Sequence, residues 1–408
     1  MMSTRKFYEA FKFLWDERFW AYLFLFSIPV SVPLARTSLK LFLLVFFLNV
    51  LFRLRKLKLE KVDFIVLSFP AYQFITLLFK GELINFLRVP NGILPSLSYL
   101  LRFSAVDVVR ALKIFLIGSS VLSFAVILQS LLPIPDYIIL LRGDFQFHFH
   151  FSVVRPLHTF VGHPLTAGAL SSTGFILSVI LYLKFKRFLY LFSAFLNLLA
   201  VILLFDRTYW LAVSLVCFVI FFLVLRNFRL FIPFALIFIL SVLTVPQIKE
   251  RFTSIFDVKH NASNRYRLAM WVGALEFYSQ APIEEKLFGV GREGYKSEVR
   301  PFVERAEKKF NLSPHLFSHL HSDYVTVLVW YGLLGLVIFL FVFFYLLFLN
   351  LRAFRETSDY LYLFFFSFYL LILIGGIFEY NFEDGVVKCT IYSLMGLNVK
   401  LLKGGRAL

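Results

Sequence analysis

Cysteine is scarce in this chain, with only Cys217 and Cys389 among 408 residues. Both fall in apolar runs and read as buried thiols, which leaves redox compartment undetermined. Charge is also scarce, at 16% of residues, and acids are outnumbered by 25 to 42, giving a net charge of +17. In a soluble protein that excess would suggest nucleic acid; beside membrane helices it reads as topogenic, so no nucleic-acid partner is expected. Alternating apolar and polar runs of strand length are missing along the apolar stretches, which excludes a β-barrel. A small-residue cleavage site is missing after the basic start (Arg5, Lys6, Lys12, Arg18), so the first apolar run is expected to stay as an anchor.

What is abundant is hydrocarbon. Sixty per cent of the residues are hydrophobic and 55 are Phe, where a soluble domain would be nearer half apolar. Runs of about 18 residues recur, each long enough to span a bilayer. The expectation is an all-α polytopic membrane protein of about 12 transmembrane helices, at about 20–36, 39–52, 62–79, 86–103, 111–133, 164–183, 188–205, 209–225, 229–246, 324–349, 360–379 and 386–402. The run at 86–103 is interrupted by Arg88, Pro90, Asn91 and Gly92. The chain thus divides into helices 1–9 (1–246), a large partly helical loop (247–323) and helices 10–12 (324–408). Basic clusters such as Arg53-Leu-Arg-Lys-Leu-Lys58 and Lys184-Phe-Lys-Arg187 place both termini in the cytoplasm and the long loop outside.

Two outer segments, about 134–163 and 247–322, exceed ordinary connections, and long ordered loops tend to carry function. In the second, Arg267 to Tyr278 has helical spacing, with Ser263 or Asn264 as a cap. Arg267 and Trp271 are one turn apart on a shared face, and Arg265 points elsewhere. Arg207, in Phe205-Asp-Arg-Thr-Tyr-Trp210, sits at the outer boundary between two runs. Guanidinium forks onto phosphate oxygens, so Arg207 and Arg267 form a candidate diphosphate clamp, with Arg265 a further contact.

Eight histidines are present. His148 and His150 alternate with Phe and read as interfacial. His319 and His321 have ligand chemistry for a metal, but neither a His-x3-His spacing nor a cysteine pair supports one, so no metal or other cofactor is expected. Their other reading is acid–base chemistry near neutral pH, with His321 at headgroup depth as the base. Glu379, Glu383 and Asp384 end a span, and one of them could orient His321 or an acceptor hydroxyl. Gly289-Val-Gly-Arg-Glu-Gly294 matches a dinucleotide fingerprint in letters only, since no strand precedes it. A transporter is disfavoured because no pair of broken helices recurs in two halves.

These segments, in order, resemble the O-antigen ligase family, which shares its core motifs with O-antigen polymerases and O-oligosaccharyltransferases. The segments are Gly162-His-Pro-Leu-Thr-Ala-Gly168, Asp206-Arg-Thr-Tyr-Trp210, Arg267-Leu-Ala-Met-Trp271 followed by Pro282 and Leu287-Phe-Gly-Val-Gly-Arg-Glu-Gly294, His319-Leu-His-Ser-Asp-Tyr324, and Gly332-Leu-Leu-Gly335. The resemblance spans about 160–390. Departures fall at Asp206, where the family has Ser before Arg, at Ser322, where it has Asn, and in the longer stretch before Gly289. The resemblance implies a GT-C-like, inverting, metal-independent glycosyltransferase of the bacterial inner membrane, active on the periplasmic side. It would move glycan from undecaprenyl diphosphate to a sugar hydroxyl of lipid A–core. The expected catalytic residues are His321, Arg267 and Arg207; the expected substrate contacts are Arg265, His319, Trp271, Tyr324, His163 and Glu379. Trp271 and Tyr324 would act as interfacial anchors or sugar platforms.

Overall fold

The structure, a computed structural model, describes residues 12–53, 57–88, 92–131, 159–227, 229, 232–255, 257, 259–315, 319–382 and 384–405. The expectations for His148, His150, Glu383 and most of the first outer segment lie outside these residues. Among the described residues the chain is helical without a strand, apart from one isolated bridge between Thr159 and Gly162. It is an all-α polytopic membrane protein. Apolar runs must be helical in hydrocarbon, because nothing there can satisfy an open backbone.

Among the described residues six helices are long and apolar enough to cross a membrane. They are α2 (Val32–Arg53), α3 (Lys61–Phe79), α5 (Val108–Leu131), α6 (Pro164–Phe185), α14 (Asp323–Thr357) and α16 (Gly385–Gly404). Shorter apolar helices pack among them: α7 (Phe188–Leu203), α8 (Arg207–Phe218) and α15 (Tyr360–Gly375). A bent pair, α9 (Ile232–Thr244) and α10 (Pro246–Thr253), turns by 101°.

Not every expected span is a single α-helix: 209–225 ends in a π-helical stretch, Val219–Val224, and 324–349 is interrupted at Gly332, whose backbone is non-helical. The run 20–36 is split between α1 (Glu17–Ser27) and α2 by a turn holding Pro29, whose missing N–H cannot continue a helix. The run 86–103 is a short α4 (Leu83–Arg88) and then a 3₁₀ helix, Leu94–Phe103. That 3₁₀ segment is braced by α16: Ser98 donates to the Cys389 carbonyl at 3.1 Å and the Lys388 Nζ to the Gly92 carbonyl at 2.8 Å.

Polar contacts sort the helix ends into two groups. At one end lie the ion pairs Lys184–Asp359 (2.6 Å) and Lys403–Glu60 (2.8 Å), with Tyr99 and Arg102 on buried Asp63 at 2.6 and 3.2 Å. At the other end lie the starts of α6, α8, α14 and α16. Between the two ends α6 is buried along nearly its whole length. Its Gly174 approaches Ser119 and Asn197, which hydrogen-bond each other at 2.7 Å. Small residues with buried side-chain hydrogen bonds are what hold helices together where apolar burial supplies no preference.

The polar segment between α10 and α14 caps the second end. Its α11 (Ala262–Gln280) packs on α13 (Arg300–Lys309), and α12 (Ile283–Phe288) packs on α14. The α12–α14 junction depends on two glycines at positive φ. Gly289 has φ 76° and ψ 175°, and Gly332 has φ 70° and ψ −176°. A Cβ on Gly332 would lie 2.2 Å from the Leu287 carbonyl oxygen, and one on Gly289 would lie 2.4 Å from that of Trp330. The glycine-rich letters after Gly289 make a contact within the protein: the backbone N–H groups of Arg292 and Glu293 donate to the Glu82 carboxylate at 2.9 and 3.2 Å. The motif therefore ties the cap to the loop after α3.

Candidate functional site

Two cavities meet where the cap rests on the helix ends. The first, of about 490 Å³, is walled by Trp210, Leu211, Phe238, Trp271 and other apolar side chains. Among the described residues its only charged lining residues are Arg207 and Arg267. It shares Trp210, Ser214 and Phe238 with a further apolar cavity of about 250 Å³ reaching toward Phe175 and Cys217. Together they make an apolar channel with two guanidinium groups at its mouth.

Arg207 is the first residue of α8, fixed there because the Asp206 side chain caps the helix by accepting from the Thr208 N–H at 3.0 Å. Its guanidinium donates to the Ser254 carbonyl (2.7 Å) and hydroxyl (3.1 Å), and to Asn264 Oδ1 (2.9 Å). Arg207 thus stitches a membrane helix to the cap. Asn264 is not the cap of α11; Asn261 takes that place, accepting from the Asn264 N–H at 3.2 Å and freeing the Asn264 side chain for Arg207.

Arg267 sits one and a half turns into α11. Its Nη2 donates to Glu379 Oε1 at 2.6 Å and its Nη1 to Ser263 at 3.3 Å. Its Nε is buried with no hydrogen-bond partner. The Arg267 and Glu379 side chains are 17% and 8% exposed, so their attraction is less screened than that of a surface pair.

The second cavity, of about 320 Å³, is polar and lies on the far side of that ion pair. His163, His319, His321, Glu379 and Asp384 line it. His321 Nδ1 is 3.5 Å from Glu379 Oε2, so one carboxylate touches Arg267 with one oxygen and His321 with the other. His321 is held at φ 45°, a left-handed conformation uncommon outside glycine, and its backbone N–H donates to His319 Nδ1 at 3.2 Å. His163 caps α6, its Nδ1 accepting from the Leu165 N–H at 3.2 Å.

Outside the membrane helices, two groups of the site titrate away from their ordinary values. Burial pushes His319 down from 6.5 to about 3, and the charge of His321 pushes the same way. Burial works to raise the Glu379 carboxyl, but the His321 hydrogen bond and the positive charge of Arg267 outweigh it and hold Glu379 below the usual carboxylate range.

Of the residues singled out from sequence, Arg207, Arg267 and Trp271 share the first cavity, and His163, His319, His321 and Glu379 share the second. Trp271 donates its indole N–H to the Leu320 carbonyl at 2.9 Å, which anchors the His319–His321 stretch to α11. Two residues join neither lining. Arg265 donates to the Phe310 carbonyl at 3.3 Å inside the cap. The Tyr324 hydroxyl donates to the Leu373 carbonyl between α14 and α15. Sequence reasoning missed Asp323, which holds the Glu379 loop by accepting from the Asn381 backbone and side chain at 2.9 and 2.8 Å. It also missed Tyr209, whose hydroxyl donates to Asn381 at 2.9 Å. The adjacency of Asp323 to the histidine pair was the available signal.

Among the described residues no three or more His, Cys, Asp and Glu side chains are grouped as metal ligands would be. Fold and site together define a polytopic membrane protein that sets guanidinium, carboxylate and imidazole groups at the mouth of an apolar channel. Residues 192–340 match the O-antigen ligase family model. That stretch is therefore similar to the O-antigen ligase family, the family its motifs resemble. The match takes in Arg207, Arg267, His319 and His321; His163 and Glu379 lie outside it. No curated protein matches the chain.

Proposed function

We propose that this protein is an O-antigen ligase, moving glycan from undecaprenyl diphosphate to a sugar hydroxyl of lipid A–core, with the cap on the periplasmic face of the inner membrane. The observation that carries this reading is the single carboxylate of Glu379 bridging Arg267 and His321, with one cavity on each side. The polyprenyl chain lies along the apolar channel, which excludes water from it. The diphosphate rests against Arg207 and Arg267, with the unpartnered Arg267 Nε as a further donor.

In the reaction the acceptor oxygen attacks the anomeric carbon from the face opposite the diphosphate. The bond from that carbon to the diphosphate oxygen breaks, and its electron pair leaves on the diphosphate. The acceptor proton passes to His321, and the imidazolium so formed is stabilised by Glu379 on its Nδ1 side. Guanidinium groups fixed before the reaction meet the charge that develops on the leaving group. Attack from the opposite face inverts the anomeric configuration.

Arg207→Ala, Arg267→Ala and His321→Ala are each expected to insert in the membrane yet lose at least about 10²-fold in glycan transfer to lipid A–core, the size of effect seen when a transition-state donor or general base is removed. Transfer at wild-type rate by any one variant removes that residue from its role. In cells lacking the gene, unattached full-length polymer is expected; single repeats instead would make the protein a polymerase using the same site.

A further inference from the structure

The two cavities differ in the sign of their charge. Among the described residues the first carries two guanidinium groups and no acid. The second carries Glu379 and Asp384, and among the described residues no lysine or arginine lines it. Nearby cations are engaged elsewhere: Arg267 on Glu379, Arg292 over the Trp330 ring at 5.7 Å, and Lys388 on the Gly92 carbonyl. Of the histidines, His163 and His319 each accept a backbone N–H at Nδ1 and so are held as neutral rings in this geometry, and His321 faces Glu379. The other polar lining groups are hydroxyls and an amide, Thr166, Tyr209, Tyr380 and Asn381, with Leu165 and Val387 as the apolar part of the wall. Carboxylates, amides and aromatic rings recognise sugar hydroxyls by accepting from them and by stacking. A second negative charge brought among them would be repelled in a partly desolvated space.

We propose that the second cavity selects an acceptor whose reacting residue is an uncharged sugar, and discriminates against phosphorylated or uronic-acid residues. Asp384 is the selecting charge. It caps α16, accepting from the Val386 and Val387 N–H groups at 2.8 and 3.1 Å, and takes the Thr166 hydroxyl on its other oxygen. Glu379, by contrast, already has Arg267 as its counter-ion. This inference rests on the reading of the second cavity as the acceptor side of a glycan transferase.

The test uses the purified full-length chain in lipid nanodiscs, a polyprenyl-diphosphate-linked oligosaccharide as donor, and two acceptor pairs: an alkyl glucoside against the matching glucuronide, and against the glucoside 6-phosphate. The neutral acceptor is expected to show kcat/KM at least about tenfold above either charged one. Asp384→Asn, which keeps a capping oxygen while removing the charge, is expected to narrow that ratio several-fold. Equal use of charged and neutral acceptors, or an unchanged ratio in Asp384→Asn, overturns the proposal while leaving glycan transfer intact. Binding of glucoside and glucuronide without donor, followed by saturation-transfer NMR, separates the two readings. Equal binding rejects charge selection, whereas selective glucoside binding with no transfer to any acceptor rejects only the transferase chemistry.

Discussion

At the scale of single residues, the site is a relay built on one carboxylate. Glu379 is held by Arg267 from the cap and faces His321 from the stretch before α14, so neither partner is placed without the other. His321 tolerates its left-handed backbone because His319 and Trp271 fix the residues before it. His319 also makes the site sensitive to acid. Its folded pKa of about 3 lies below the ordinary 6.5, so between these values the unfolded chain binds a proton that the folded chain does not. Stability is therefore expected to fall as pH drops below about 6.5, by at most about 1.4 kcal/mol per unit. Thermal unfolding of detergent-solubilised protein at pH 7.5 and 5.5 checks this. His319→Gln should show the smaller difference between the two, and an equal difference would mean another group is responsible.

At the scale of elements, the geometry of the candidate site depends on how the cap is docked. A pair of glycines lets the backbones of α12 and α14 meet at van der Waals distance, and the Val290 N–H then reaches the Val329 carbonyl at 2.9 Å. Gly332→Ala would force a side chain into a region open essentially to glycine alone and against the Leu287 carbonyl. A loss of about 1–3 kcal/mol from backbone strain is expected, with more from the clash. Melting temperature and transfer rate should both fall while membrane insertion persists. Leu333→Ala, at an exposed neighbouring position, is the control and should change neither by much. A Gly332→Ala protein with wild-type melting and rate would show that the junction is not what positions the site.

At the scale of the whole molecule, polar contacts separate two ends. Glu60, Lys184, Asp359 and Lys403 mark one, and the two cavities open at the other. The proposed orientation puts the first end in the cytoplasm, as the basic residues that flank it lead one to expect. A cysteine introduced at exposed Lys296 should therefore react with a membrane-impermeant thiol reagent added outside spheroplasts, and one at Lys186 should react only after lysis. The reverse pattern would invert the orientation and move the site to the cytoplasm. Both native thiols are buried and should stay silent.

The sequence by itself determined the class of fold, because long apolar runs have no solution in lipid but helices. It also determined the candidate arginines and histidines, since guanidinium and imidazole are rare beside hydrocarbon and stand out wherever they occur. Periodicity was enough to find α11 and to put Arg267 and Trp271 on one face. It could not show that 20–36 turns at Pro29, nor that the run ending at Phe103 winds as a 3₁₀ helix, because length and hydropathy average over such breaks. Only the tertiary structure decided that Arg267 and not Arg265 meets Glu379, that Tyr324 bonds between helices, and that Asp323 and Asn381 hold the loop in between. The physical reason is separation along the chain. Arg207, Arg267, His321 and Glu379 come from four elements, and whether their short-range hydrogen bonds can form is set by helix packing, which no local pattern of residues records.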